Sequence, residues 1–342
     1  MSARNIWKLN EGNFPANGSP RQKLEFAAKL ATLAPTGSAL PRWSYRVADT
    51  HLELLAKEDH EARPVYPDEH ASVVDSGAAL MYLKLALKHH GCFGRVALFP
   101  DLDDPELVAR VHLGSCVERN SEERLLFAAM SEVRGNGETP VSETMLAALH
   151  QAVAGERGWL DVARSEMSRR RLVEISLGDR SFWPNFDRVP ARPPGASAGG
   201  ICWRWPRRLF VSGGRNLESR NPSIEPLRQA SVEAATLAVV KTKTDDKYGW
   251  LAAGQIVARI ALQARALGLS WAILNPMRSR AAREALRTEV GRKGFAQVIL
   301  RFGPVNAGEM AQPSPAATVV SIKSPPALPP SAPRFSPPAR SS

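Results

Sequence analysis

The sequence predicts an α+β fold in which two tandem half-units, each built of strands flanked by helices, form a pseudo-dimer. Three observations predict it. The chain has 342 residues, 44% hydrophobic and 23% charged, a globular composition long enough for about two domain-sized units. Apolar residues recur at helical spacing in some windows and in short β-type runs in others, so helices and strands alternate. The third observation is an internal repeat. SGAALMYLKLALKHHGCFGRVALFP (76–100) parallels AGQIVARIALQARALGLSWAILNP (253–276), with Gly77 matching Gly254 and Gly91 matching Gly268 at one offset of 177 residues.

The elements follow in order. Residues 1–20 read as a flexible N-terminal arm. In 22–33, Leu24, Phe26, Ala27, Leu30 and Leu33 fall at helical spacing, and Ala34-Pro35-Thr36-Gly37-Ser38 ends that helix. Trp43 to Val47 and His51 to Ala56 read as strands joined by a turn at Ala48-Asp49-Thr50. Residues 69–90 form a long apolar helix closed by a left-handed cap at Gly91. A strand at Arg95 to Phe99, a short helix after Asp103-Asp104-Pro105 and a strand at Val108 to Gly114 complete the first half.

The second half begins near residue 121. It has a helix at 141–155, a strand at Trp159 to Ala163 and a helix at 167–177. After a long irregular stretch come strand Thr236 to Lys241, helix Lys247 to Leu267, strand Trp271 to Leu274, helix Ser279 to Val290 and strand Ala296 to Gly303. The organisation is therefore an arm (1–20), a first half (21–120), and a second half (121–310) with an irregular Arg-, Trp- and Pro-rich insertion at 178–226. A disordered Pro-rich tail (311–342) follows. It holds nine Pro, three basic residues and no acid, too little apolar surface to fold alone. Its PPALPPSAPR has the PxxP spacing that docks partner domains.

Lys and Arg number 45 against 34 acids, a net charge of +11. The excess is local: Arg164 to Arg228 holds thirteen Arg, no Lys and six acids. Guanidinium binds planar anions bidentately, so this segment reads either as an anion-contacting surface or as a general preference of the chain for Arg. No nucleic-acid reader motif accompanies it, so nucleic acid is not the expected partner. Three cysteines without paired spacing argue against a disulfide scaffold and a structural zinc site, and point to a reducing, cytoplasmic compartment. The histidines show no metal-ligand spacing, and no metal is expected. His89-His90 end a helix, where a cation meets the C-terminal dipole favourably. The most apolar run, Ala71 to Leu87, is cut by Asp75 and Lys84, so no membrane span is expected. Gly195-Ala196-Ser197-Ala198-Gly199 matches a nucleophile-elbow pattern but is preceded by prolines rather than a strand, which reads as a loop. Cys202-Trp203-Arg204-Trp205 interleaves rings and cations, either for stacking on a planar ligand or for pinning the loop to the core. No convergent base accompanies Cys202.

WLAAGQIVARIALQARALGLSWAILNP, preceded by TLAVVKTKTDD and followed by an RxxLR-type helix and VILRFG, resembles the FMN-binding nitroreductase superfamily. Within it, the long single-chain Acg-type branch is the nearest match. LATLAP, PRWSYRVADTHLELLAKE and YPDEHASVVDSGAAL resemble the same branch. The resemblance covers residues 22–178 and 230–303. It implies a nitroreductase-like mixed sheet flanked by helices, with FMN held where the two halves meet. It also implies NAD(P)H as hydride donor and a small-molecule acceptor such as a nitro compound or quinone. Because the fused halves supply the usual dimer contact, the chain is expected to be a monomeric pseudo-dimer.

Carried over by residue, the family's PSxxNxQPW-type loop falls on Pro35 to Trp43. Thr36 keeps the hydroxyl, Ser38 lies within the loop and Trp43 is retained, whereas Ala39 and Pro41 stand at the Asn and Gln positions. Two flavin-directed hydrogen bonds are missing there, each worth about 1 kcal/mol. The phosphate motif falls near Phe127–Thr139, where Arg134 remains. The backbone loop beside the flavin N5 falls on Asn275, Pro276, Met277 and Arg278. Two readings stay open: FMN binds, with Arg169, Arg170, Arg171 or Arg334 replacing lost phosphate contacts, or the scaffold persists as a non-catalytic protein that sequesters FMN or has lost it. No catalytic side chain is assigned.

Overall fold

Apolar alternation in eight strands builds two four-stranded antiparallel arrays. The computed structural model describes residues 11–37, 41–57, 69–115, 121–130, 140–178, 236–275, 279–289, 293–303 and 322–323. The first array holds β1 (Trp43–Val47), β2 (His51–Ala56), β3 (Phe93–Leu98) and β4 (Leu107–Leu113) in the order β3-β4-β2-β1. The second holds β5 (Gly158–Val162), β6 (Thr236–Thr242), β7 (Trp271–Asn275) and β8 (Phe295–Phe302) in the order β5-β6-β8-β7. The two orders correspond strand for strand. A ninth strand, β9 (Ile322–Lys323), lies parallel to the outer edge of β1, with Ile322 opposite Tyr45. It makes the first sheet mixed, and it lies inside the segment expected to be a disordered tail. Edge pairing supplies backbone hydrogen bonds without requiring the segment to bury a core of its own.

Two helices of twenty residues each, α2 (His70–His89) and a helix at Lys247–Ala266 (α6 below), run through the middle. Their bounds, like Gly91 and Gly268 that follow them at φ +67°, repeat at the offset of 177. Asp246 caps the second by accepting the Gly249 amide at 2.8 Å. The two helices pack on each other at Gly77 and Gly254, which let the backbones approach closely. Val74 of α2 joins the core beneath the second sheet, and Leu251, its counterpart at the same offset, joins the core of the first.

The remaining helices are α1 (Pro20–Ala31), α3 (Ser121–Ala128), α4 (Glu143–Ala152), α5 (Glu166–Gly178) and α7 (Arg280–Glu289). Ser19 starts α1 with a capping box. The second sheet is covered on both faces. Leu149, Ile256 and Ile260 meet Val240 and Leu300 on one side, and Leu172, Val173 and Leu286 meet Val239 and Ile299 on the other. The first sheet packs one face on α1 and α2. Its opposite face carries ion pairs in register, Arg46–Glu53 at 3.4 Å and Arg110–Glu53 at 2.7 Å.

Three local expectations change. The short helix after Asp103-Asp104-Pro105 is a turn, because the Asp101 carboxylate accepts the Asp103 amide at 3.0 Å and diverts the backbone from helical pairing. Helix α3, not anticipated, packs Leu126 into the first core. Part of the expected arm is anchored: residues 11–13 form a 3₁₀ turn, and Phe14 stacks on His90 at 3.8 Å and meets Phe26 edge-on. His89 stacks on Phe127 at 3.6 Å. The histidine pair thus holds neighbouring segments as well as ending α2. Residues 179–226 of the insertion lie outside the described residues.

Candidate functional site

The first two turns of α2 gather groups from both halves. His70, fully buried, has its Nε2 at 2.8 Å from Oε1 of the fully buried Gln297 on β8. The Gln297 amide donates to the Thr242 hydroxyl at 2.9 Å and lies 3.3 Å from the Asp245 carboxylate. With that nitrogen committed to oxygens, the carbonyl faces His70, which makes Nε2 the donor. Asp245 also accepts the Trp250 indole N–H at 2.7 Å and pairs with Arg283 at 3.0 Å. Arg283 is 2% exposed and lies over the Trp250 ring at 5.7 Å. Burial pushes the Asp245 carboxyl upward. The Trp250 bond, the Arg283 charge and the Gln297 amide outweigh it and hold the group below its ordinary value. Lys247 and Glu69 pair at 2.8 Å between the starts of α6 and α2.

Five residues further along α2 sits a buried acid. Asp75, 5% exposed, accepts the Thr36 hydroxyl at 2.7 Å and the Gly37 amide at 3.0 Å. The N-terminal half of a helix is a favourable place for such a charge. It ties the loop after α1 to the helix that His70 begins. The position equivalent to Asp75 in α6 is Ala252, which has no carboxylate to offer.

Of the residues singled out by the sequence, Thr36 sits in this constellation. Asn275 ends β7 opposite Ile299, two residues along β8 from Gln297, so the predicted flavin loop leaves its strand beside the His70–Gln297 pair. Trp43, at 1% exposure, has its ring in the first core, beneath α1 and α2. Next to it on that face, burial drives the Tyr45 phenol far above its ordinary value. Ser38, Arg134, Pro276, Met277, Arg278, Cys202 and Arg334 lie outside the described residues. Arg170 and Arg171 project from α5 and pair with Glu166 at 2.6 Å and Glu174 at 3.2 Å in their own helix. Such exposed pairs are local surface features. His70, Asp75, Asp245, Arg283 and Gln297 had no assigned role from sequence. The doublet Asp245-Asp246 at the head of the strongest repeat was the available signal. Nothing in the sequence links His70 to a residue 227 positions away.

A cavity of about 420 Å³ lies beside β5, between α4 and α5. Its polar groups are already matched. His150 has both ring nitrogens at carbonyl oxygens, of Leu146 and Leu160, at 2.8 and 3.0 Å. Asp161 pairs with the buried Lys241 at 3.0 Å, and Arg164 with Glu143 at 3.2 Å. Among the described residues no cluster of His, Cys, Asp or Glu could hold a metal ion, and no helix is long and apolar enough to cross a membrane.

No family profile matches the chain. Two proteins of Mycobacterium tuberculosis, from strains CDC 1551 / Oshkosh and ATCC 25618 / H37Rv, are each 28% identical to it over 308 residues, spanning 81% of this chain and 84% of their own. Each carries the name "Putative NAD(P)H nitroreductase". The chain is thus similar, over four fifths of its own length and of theirs, to two proteins named as NAD(P)H nitroreductases, and its mixed α+β fold is compatible with that likeness.

Proposed function

We propose that the protein is a nitroreductase-type flavoprotein oxidoreductase, with FMN at the α2 end of the junction between halves. It takes reducing equivalents from NAD(P)H and passes them to a small electron-poor acceptor, a nitro compound or a quinone. The observation that carries this reading is the convergence on α2 of the Thr36 loop from the first half and the β7–β8 end from the second. These are two of the three segments that the resemblance assigns to the flavin. The relatives' names support the reaction class and the nicotinamide donor.

The pseudo-dimer belongs to the same proposal. Matching strand orders support it, as do the helix contacts. The Gly254–Val74 and Gly77–Leu251 approaches exchange into each other under the offset of 177. A two-fold interface requires that reciprocity. One chain then supplies both halves of the site, and the molecule works as a monomer.

The donor set fits the uncharged parts of a flavin. By the resemblance, Thr36 stands at a hydroxyl position for the ribityl or ring, and the residues after Asn275 at the position of backbone donors to the ring. Bound flavin supplies the hydride relay; the chain's part is to orient it and exclude water. The phosphate is served differently. Arg283, Lys247 and Lys241 are each matched by a carboxylate, so Arg134, Arg278 or Arg334 is the proposed counter-charge. Those carboxylate pairings, with Ala39 and Pro41 in the loop, favour the second reading, a non-catalytic protein that sequesters FMN or has lost it. NAD(P)H oxidation with a quinone acceptor separates the two. Turnover by FMN-loaded protein above that of free FMN supports the enzyme, and flavin held without turnover supports sequestration.

A further inference from the structure

We infer that the outer edge of β5 is a docking site for an extended, acidic peptide segment of a partner protein, which adds there as a further strand of the second sheet. The pairing registers locate the site. Counted back from the closing glycines Gly114 and Gly303, Val111 pairs with Leu52 and, through it, Val47. Leu300 pairs with Ala238 and, through it, Val162. Val162 therefore stands where Val47 stands, and Leu160 where Tyr45 stands. Tyr45 lies opposite Ile322 of β9. The first sheet thus receives an added strand at this position, whereas among the described residues β5 ends the second sheet.

The backbone of that edge is open. The Ala163 amide donates to the Leu237 carbonyl at 2.8 Å. By antiparallel alternation Asp161 and Ala163 turn their groups to β6, and Leu160 and Val162 turn theirs outward. His150 Nε2 lies 3.0 Å from the Leu160 carbonyl. The Leu160 amide and both backbone groups of Val162 have no partner among the described residues. The cavity of about 420 Å³ follows this edge from Leu160 to Arg164, with His150 of α4 on one side and Leu172 of α5 on the other. A slot walled by two helices admits a single strand and keeps out the edge of another sheet. Charge selects the strand. Residues 164–171 hold four Arg and one acid. Arg164 lines the cavity, and its pair with Glu143 is exposed on both sides, at 67% and 75%. Such a pair is weak, so an acidic residue on the incoming strand can replace Glu143. Asp161, also in the lining, is paired with Lys241 at 3.0 Å. Main-chain bonds supply the affinity of strand addition, and side-chain contacts its selectivity.

The test titrates the full chain with a capped heptapeptide of alternating valine and glutamate. Its lysine counterpart and a version N-methylated throughout, which keeps the charge but has no donors, serve as controls. Amide exchange at Leu160 and Val162 is followed by NMR. Both amides should exchange fast in the unbound protein and slow down when the acidic peptide binds, one per chain. The lysine peptide should bind roughly tenfold more weakly, and the methylated one not at all. Arg164→Ala should weaken the acidic peptide about threefold. Val162→Pro deletes an outward amide without touching the β6 ladder and should abolish binding, with the unfolding midpoint showing that the fold persists. If that variant does not fold, Arg164→Ala and the methylated peptide still decide. Slow exchange of both amides in the unbound protein would overturn the inference, as would failure of the acidic peptide to bind or equal binding by the methylated one. Self-association of the full chain that Val162→Pro abolishes would give the edge to a second copy and overturn it too.

Discussion

Gly77 and Gly254 face each other where α2 crosses α6, and neither position has room for a side chain. A Cβ on Gly77 would run into the Leu251 carbonyl and come within 3.0 Å of the Gly254 Cα; one on Gly254 would run into the Val74 carbonyl. Backbone cannot swing aside as a side chain can. Gly77→Ala and Gly254→Ala should each cost about 3 kcal/mol, the upper end of overpacking. If the halves are related by a pseudo-two-fold axis, the two losses should be similar, as read by urea unfolding.

The Asp245–Arg283 pair is buried on the Arg side at 2% exposure. Arg283→Met leaves Asp245 without its charge partner and should destabilise by roughly 3–5 kcal/mol. Adding Asp245→Asn removes the stranded charge. The double variant should therefore be more stable than Arg283→Met alone, a non-additivity that chemical denaturation measures directly.

The same carboxylate gives a pH dependence. Asp245 is held below its ordinary value of 3.8 in the folded protein. Its stabilising contribution is then complete above that value and disappears as pH falls through the lowered native value. Unfolding free energy followed downward from neutral pH should drop in this acid window. In Asp245→Asn that part of the slope should be absent.

Strand β9 pairs with the outer edge of β1. Ending the chain at Gly303 removes it and bares a row of backbone donors and acceptors. The truncated protein should unfold at lower temperature than the full chain. It should also self-associate in sedimentation experiments at concentrations where the full chain does not.

Local chemistry made most elements legible in the sequence. The 20-residue helices, their closing glycines and the strands after them were all visible in a repeat whose periodicity and punctuation act within a few residues. Where a non-local partner decides the outcome, the sequence was silent. β9 exists because β1 offers an edge 277 positions earlier, and no propensity in a Pro-rich stretch reports that. Trp43 shows the converse: a motif match gives a residue's identity, and its burial in the first core is known only from the fold. For the site, Thr36 was singled out by the likeness of Pro35 to Trp43 to a family loop. Its partner Asp75 read only as a charge interrupting an apolar run, and its burial became meaningful once α2 lay against that loop.

The central claim is that FMN binds at the α2 end of the junction, and one measurement addresses it most directly. The full chain is mixed with FMN, desalted, and its visible absorption recorded, with Thr36→Val treated in parallel. The account predicts flavin bands retained at close to one equivalent per chain in the wild type and reduced in Thr36→Val. A desalted wild type without flavin absorption, or retention identical in the two proteins, would contradict it.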